Sequence, residues 1–275
     1  MIAWGEAYEA REVVARPDLT IVQFDRFGKG CLSYLVGSGG QAIAVDPGRQ
    51  FQQYADEARR RGWQLVHVVD THLHADHISG AVPLAASTGA TYHLHGADAI
   101  GGKLPVAPIA GPLQLGRVVV DVVQEHTPGH TPGSTSLIVD GRYLLSGDTL
   151  FVGSVGRPDL GDEVDAWAHE LYWTLVTKIR GLPDDTLVLP AHYASDAEVR
   201  DDGIVAGTLG HLRATNPALS LADERAFIAF IRAHLRPQPE AYGTIRRINL
   251  MLQDVDDDTR TELELGKNQC AASRG

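Results

Sequence analysis

The stretch Leu65-Val66-His67-Val68-Val69-Asp70-Thr71-His72-Leu73-His74-Ala75-Asp76-His77-Ile78-Ser79-Gly80-Ala81-Val82 decides how this chain is read. Leu65 to Val69 is an apolar run of strand length, and Ile78 to Val82 can open a helix. Between them His72, His74, Asp76 and His77 spell HxHxDH, four metal-binding side chains within six residues. On a strand-to-helix turn the strand end fixes the backbone while the turn swings successive side chains toward one point, as a metal centre requires. A lone histidine is ordinarily a surface or core residue; so dense a cluster directly after a strand points to metal chemistry.

Outward from the motif, three apolar runs precede it, Ile21 to Phe24, Cys31 to Val36 and Ala42 to Val45, split by glycine-rich turns and read as antiparallel strands. A helix is predicted over Phe51 to Arg61, stopped by Gly62. After the motif, strands are predicted at Thr91 to Leu94, Arg117 to Val123, Thr135 to Val139 and Tyr143 to Leu145. A helix over Asp165 to Ile179 and a strand over Thr186 to Leu189 follow. Strands in two batches, each followed by helices, imply two sheets packed face to face with helices outside, a four-layer α/β sandwich. Beyond residue 200 the pattern turns helical, at Ile204 to Arg213 and Ala222 to Leu235. The chain divides accordingly into a catalytic domain over 1–200 and a helical extension over 201–275, packed on that same domain.

Three more candidate ligands share the motif's local setting, a strand end followed by a small-residue turn. His130 lies in Thr127-Pro128-Gly129-His130-Thr131-Pro132-Gly133-Ser134, Asp148 follows Tyr143-Leu144-Leu145-Ser146-Gly147, and His192 follows Val188-Leu189-Pro190-Ala191. Side chains from separate strand ends can converge on one edge of a sandwich. Asp46, in the turn Asp46-Pro47-Gly48, could brace the motif.

Bulk composition narrows the class. The chain has 275 residues, 44% of them hydrophobic, and a formal charge of -11 with no basic cluster. Nucleic acid is therefore excluded as an expected partner. Cys31 and Cys270 are the two cysteines, far apart in sequence, so a disulfide framework is excluded and a reduced, cytoplasmic setting is expected. Cys31 reads as a buried small side chain and Cys270 as part of a polar, disordered tail from Gly266 to Gly275. Met1 to Ala10 lacks the pattern of a secretory leader, and no apolar run reaches the roughly 18 residues of a membrane span.

Taken in order, HxHxDH, then Gly129-His130, Gly147-Asp148 and Ala191-His192, the sequence resembles the metallo-β-lactamase superfamily over about Phe24 to Ala194. The resemblance implies the αβ/βα sandwich. Within it, Thr71 to Gly80, the run Ser146 to Leu160 with its Gly156-Arg157-Pro158-Asp159-Leu160 ending, and Thr215 to Leu219 are similar to the persulfide dioxygenase branch. Glyoxalase II shares Gly147-Asp148-Thr149-Leu150-Phe151 but usually continues with a Gly-Lys-Phe type turn.

The dioxygenase resemblance implies iron(II) held by His72, His130 and Asp148, with glutathione persulfide or a similar small persulfide and O2 as reactants. Two histidines and one carboxylate leave three open positions, enough for a sulfur donor and O2 together. His74, Asp76, His77 and His192 would then surround and orient the ligands. The competing implication is a glyoxalase-II-like thioester hydrolase with one or two zinc ions. There His72, His74 and His130 bind one ion, Asp76, His77 and His192 the second, and Asp148 bridges. A third reading is a non-catalytic binding protein that keeps the fold. Arg157 is a candidate grip for a substrate carboxylate, against an internal salt bridge with Asp159 or Asp162. Tyr193 is a candidate lining residue of the same pocket. The resemblance also implies a homodimer.

Overall fold

The computed structural model describes residues 8–26, 28–109, 111–161, 163–221 and 223–272. Two six-stranded sheets form its frame. The first runs in sequence order through β1 (Tyr8–Ala15), β2 (Thr20–Arg26), β3 (Cys31–Ser38), β4 (Gln41–Val45), β5 (Gln64–Val69) and β6 (Thr91–His93). The second is ordered β12-β11-β10-β9-β8-β7, from β7 (Leu113–Leu115), β8 (Val118–Val122), β9 (Leu137–Val139), β10 (Tyr143–Gly147), β11 (Leu187–Pro190) and β12 (Gly207–Thr208). Helices are α1 (Gln52–Arg60), α2 (Ala81–Thr88), α3 (Gly96–Ala99), α4 (Val164–Thr174), α5 (Leu209–Thr215), α6 (Glu224–His234), α7 (Ala241–Asn249) and α8 (Asp257–Leu263).

Period-two alternation builds the layers. In β3, Leu32, Tyr34 and Val36 enter the apolar cluster between the sheets while Leu35 enters the one beneath α1 and α2. In β10 and β11, Leu145 and Leu189 face that same central cluster, and Leu144 and Val188 face the one beneath α4, α5 and α6. Successive side chains point to opposite faces, so a strand apolar on both must lie between two layers. The order is helix, sheet, sheet, helix, the α/β sandwich expected from the sequence.

Pairs β4–β5, β5–β6 and β10–β11 are parallel, with α1, α2 and α4 as their crossovers, and the remaining pairs are antiparallel. Crossovers align the carboxyl ends of β5, β10 and β11 along one edge. Those ends carry the motif loop, Asp148 and His192.

Three sequence expectations are corrected. The helix expected over Ile204 to Arg213 begins only at Leu209: the Thr208 hydroxyl caps it by accepting from His211 N, and Gly207 and Thr208 pair with β11. The second sheet thus includes residues assigned to the helical extension. The helix over Asp165 to Ile179 keeps α geometry to Thr174 and closes with a wider π turn over Leu175–Ile179. The tail is ordered to residue 272, where Ala272 N donates to Val155 O at 2.9 Å. The first seven residues of the leader reading, Asp162 and Ala222 lie outside the described residues. No helix among the described residues is long and apolar enough to cross a membrane.

Candidate metal centre

Asp46 sets the motif loop. It follows β4 at a φ of 52°, in the left-handed region, and accepts from Thr71 N at 2.6 Å and Thr71 Oγ1 at 2.8 Å. Its other contact is with His74 Nε2, at 3.2 Å. Asp98, at the start of α3's only turn, ties the loop to the next ligand: Leu73 N, Thr131 Oγ1 and Gly133 N all donate to it at 2.6–2.8 Å. Asp46 and Asp98 therefore hold His72, His74 and His130 through the backbone that carries them.

The structure brings His72, His130 and Asp148 together, with ligand atoms all within 4.8 Å of one another. His130 Nε2 lies 3.3 Å and His72 Nε2 3.8 Å from Asp148 Oδ2. The opposite ring nitrogens are occupied. His130 Nδ1 is 2.8 Å from Arg157 O, a carbonyl that can only accept, so Nδ1 carries the proton and Nε2 keeps its lone pair. Thr71 Oγ1 donates to Asp46 and so accepts from His72 Nδ1 at 3.0 Å, which assigns His72 the same tautomer. His74 is mirrored: Nε2 faces Asp46, leaving Nδ1 free.

Four buried atoms of the candidate ligands consequently have no hydrogen-bond partner among the described residues: His72 Nε2, His74 Nδ1, His130 Nε2 and Asp148 Oδ2. Unsatisfied buried polar atoms are costly, and here they are three imidazole nitrogens and one carboxylate oxygen, a donor set suited to a divalent transition metal. Burial holds His72, His77 and His130 below the ordinary histidine value, which keeps them neutral and able to ligate. Burial also disfavours charge on His74 and His192. Asp46 and Asp70 around the first, and Asp148 and Asp76 around the second, outweigh it and raise both well above that value. A proton and a metal thus compete at those rings.

A second group adjoins the first. His192 Nδ1 donates to Asp148 Oδ1 at 2.6 Å, and its Nε2 lies 3.0 Å from Asp76 Oδ2. Asp76 Oδ1 is 3.2 Å from His77 Nδ1, and Cys31 Sγ sits 3.1 Å from Asp76 Oδ2. Cys31 was foreseen as buried, and burial pushes its thiol up to about 11, which leaves it inert as a free nucleophile. Its place in the cluster was not foreseen. Nor was that of Cys270, 1% exposed and within 4.8 Å of Asp148 and His192. Two cysteines 239 positions apart thus meet around one histidine.

Two glycines are required here. Gly147 turns the chain from β10 into Asp148 at a φ of 54°. A Cβ on Gly156 would lie 2.0 Å from Asp148 O and 2.9 Å from His130 Nδ1.

Arg157 takes the internal salt bridge with Asp159 that was the alternative to a substrate grip, and Tyr193 turns to Asp25. Arg157 is 1% exposed; Nε and Nη2 donate to Asp159 at 2.6 and 2.7 Å, and further donors reach Gln269 O and Arg236 O. A guanidinium so engaged does not grip a substrate carboxylate; it serves the site through its carbonyl, on His130. Tyr193 donates its hydroxyl to Asp25, at 3.2 and 3.3 Å, and its backbone N donates to Gly30 O.

The segment after residue 200 covers the centre. Asn249 of α7 donates to His74 O and His77 O at 2.9 Å, and Glu264 accepts from Ile78 N and from Arg26 and Arg49. Residues 268–272 cross the loops at Lys29 and Arg157, where Arg157 N donates to Cys270 O at 2.7 Å. A cleft of about 780 Å³ opens beside Ile78 and Ser79, lined also by Arg49, Phe51, Tyr92 and Asn249.

The Metallo-beta-lactamase superfamily pattern matches residues 26–192, and with this site and sandwich the chain belongs to that superfamily. A hydroxyacylglutathione hydrolase from Polaromonas sp. is 33% identical over 242 residues, covering 81% of this chain and 86% of the relative. The mitochondrial persulfide dioxygenase ETHE1 of Bos taurus is 27% identical over 230 residues, covering 77% and 80%. The crystal structure of ETHE1 from Myxococcus xanthus superposes with a TM-score of 0.71 at 27% identity, over 84% of this chain and 98% of that one.

Proposed function

We propose that this chain is a non-haem iron(II) persulfide dioxygenase acting on glutathione persulfide or a similar small persulfide. The observation that carries this reading is the unequal use of Asp148: Oδ1 is held by His192 at 2.6 Å, while Oδ2 faces His72 and His130. In a two-zinc hydrolase Asp148 would have to serve both ions, whereas here the His192 ring takes Oδ1. A mononuclear triad needs only Oδ2. His72, His130 and Asp148 would hold the iron, which when bound would supply the electron transfer from sulfane sulfur to O2. The net change is RSSH + O2 + H2O to RSH and sulfite, with release of protons.

The protein's own part is to hold and exclude. Arg157 O and Thr71 Oγ1 keep the histidine protons on the nitrogens facing away from Asp148, so both Nε2 atoms stay available. Asn249, Glu264 and residues 268–272 keep bulk water off the ligands, which protects a reactive sulfur species from side reactions.

A zinc thioester hydrolase of the hydroxyacylglutathione hydrolase kind is the second reading. It is favoured by the unpartnered Nδ1 of His74, which would give one ion three imidazole nitrogens. Metal analysis of anaerobically purified protein, paired with oxygen uptake on glutathione persulfide, separates the two. Iron with persulfide-dependent uptake is expected; stoichiometric zinc with thioester cleavage and no uptake sinks the proposal.

A further inference from the structure

Two histidines outside the ligand groups, His95 and His126, stack face to face, with ring centroids 4.5 Å apart and planes 2° from parallel. They join the two sheets: His95 follows β6 of the first, and His126 lies between β8 and β9 of the second. His95 caps α3 by accepting from Ala97 N on its Nδ1, at 3.3 Å. That single turn presents Asp98, which holds Leu73 N of the motif loop and Thr131 Oγ1 and Gly133 N of the His130 loop. A Cβ on Gly133 would lie 2.6 Å from Asp98 Cγ, so the approach there is already close. His126 leads into the His130 loop, which Thr127 N closes by donating to Ser134 O at 2.7 Å. Gln124 and Glu125, just before it, have φ of 38° and 73°, a left-handed pair of non-glycine residues that persists only where the surroundings impose it. Lys178 helps to impose it, its Nζ donating to Gln124 O at 3.2 Å and to His126 O at 2.6 Å.

We infer that the His95–His126 pair is a proton-operated clasp: stacked and neutral, it keeps the motif loop and the His130 loop in register through Asp98, and on taking up protons it lets them part. Nδ1 of His95 accepts from Ala97 N only while it is bare; a proton there sets donor against donor and removes the cap. Two imidazolium rings at this spacing repel, and Lys178 adds to the repulsion. Glu125 on the same turn and Glu170 of α4 oppose it, while His169 and Glu163 border the same cleft as His126. The balance favours the neutral ring, for burial, then His95 and Lys178, hold His126 below the ordinary histidine value. A ring so held takes up its proton more readily once the clasp is open. Its stabilisation is therefore complete above about pH 6.5 and is lost as pH falls toward the depressed folded-state value.

Hydrogen exchange of the protein as purified reads the clasp at two amides that Asp98 holds, Leu73 and Gly133. Each pKa unit between the closed and open states is a tenfold change in opening, so protection, corrected for the intrinsic pH dependence of exchange, should drop about tenfold from about pH 7.5 to about pH 5. His95→Asn keeps a side chain that caps helices, His126→Phe keeps an aromatic ring, and neither replacement titrates. In the double variant the drop should vanish. A drop of the same size there assigns it to the ligand histidines and overturns the clasp, as does protection in the native chain that does not change with pH. If the double variant does not fold, His95→Asn alone decides by imidazole NMR. Removing the facing ring should raise the His126 pKa toward about 6.5, and an unchanged value refutes the pairing.

Discussion

Replacing Gly156 by alanine is the sharpest perturbation the centre offers. The added Cβ would stand 2.0 Å from Asp148 O and 2.9 Å from His130 Nδ1, so it meets a backbone oxygen that no side-chain rotation can clear. Relief must come from moving the Gly156 turn away from Asp148, which opens the Gly156 N to Asp148 O hydrogen bond of 3.0 Å and shifts Arg157 O from His130. Overpacking of this kind costs about 1–3 kcal/mol, and the lost hydrogen bond adds about 1 kcal/mol. Disturbing the group that orients a ligand histidine lowers metal affinity by about 10–100-fold. Gly96→Ala is the matched control, since a Cβ there meets nothing within 4 Å. Denaturant unfolding of both metal-free variants and cobalt titration of each supply the readouts. If Gly156→Ala unfolds within about 0.5 kcal/mol of Gly96→Ala and binds cobalt as the native chain does, the close-approach reasoning is wrong.

Arg157→Met should destabilise the chain by about 3–5 kcal/mol, because it strands Asp159 without its buried partner. Unchanged stability with a raised KM would instead restore Arg157 as a substrate grip. Metal uptake should release protons and tighten as pH rises, since a cation held beside His74 and His192, whose neighbouring carboxylates keep them protonated, is repelled until those rings give up their protons; calorimetry in buffers of different ionisation enthalpy measures the number released. Burial would raise the Glu264 carboxyl, but Arg26 and Ile78 N hold it below its ordinary value. Its stabilisation is therefore present at neutral pH and lost as pH falls through the depressed value in the folded state. Glu264→Gln should lower stability at pH 7 and flatten the acid limb of the stability curve; an unchanged limb would refute the ion pair's role.

Local pattern made much of this fold legible. The apolar runs at Ile21, Cys31, Ala42 and Leu65 each became a strand because sandwiched strands need long apolar stretches. What escaped depends on partners distant in sequence. β1 carries charge on one face and reads as loop until β2 pairs with it, and β12 is two residues whose identity as strand comes only from β11. At the centre, every residue of HxHxDH was visible, but which nitrogen of His74 stays free depends on Asp46, far upstream. Cys31 looked like core filling because nothing near it in sequence shows that Asp76 will lie against it. The tail read as disordered because its partners, at Lys29, Gly30, Val155, Arg157 and Tyr242, are remote in sequence.

Residues 268–272, laid across the ligands, also govern time. His72, His130, Asp148 and His192 are at most 1% exposed, so an ion enters or leaves only when that segment and the covering helices open. Exchange is then paced by a local unfolding event, whose free energy adds to the barrier for ligand substitution. A centre built this way keeps the metal present when the segment seats. The metal found in a purified sample records its loading history as much as its affinities, and growth medium becomes an experimental variable.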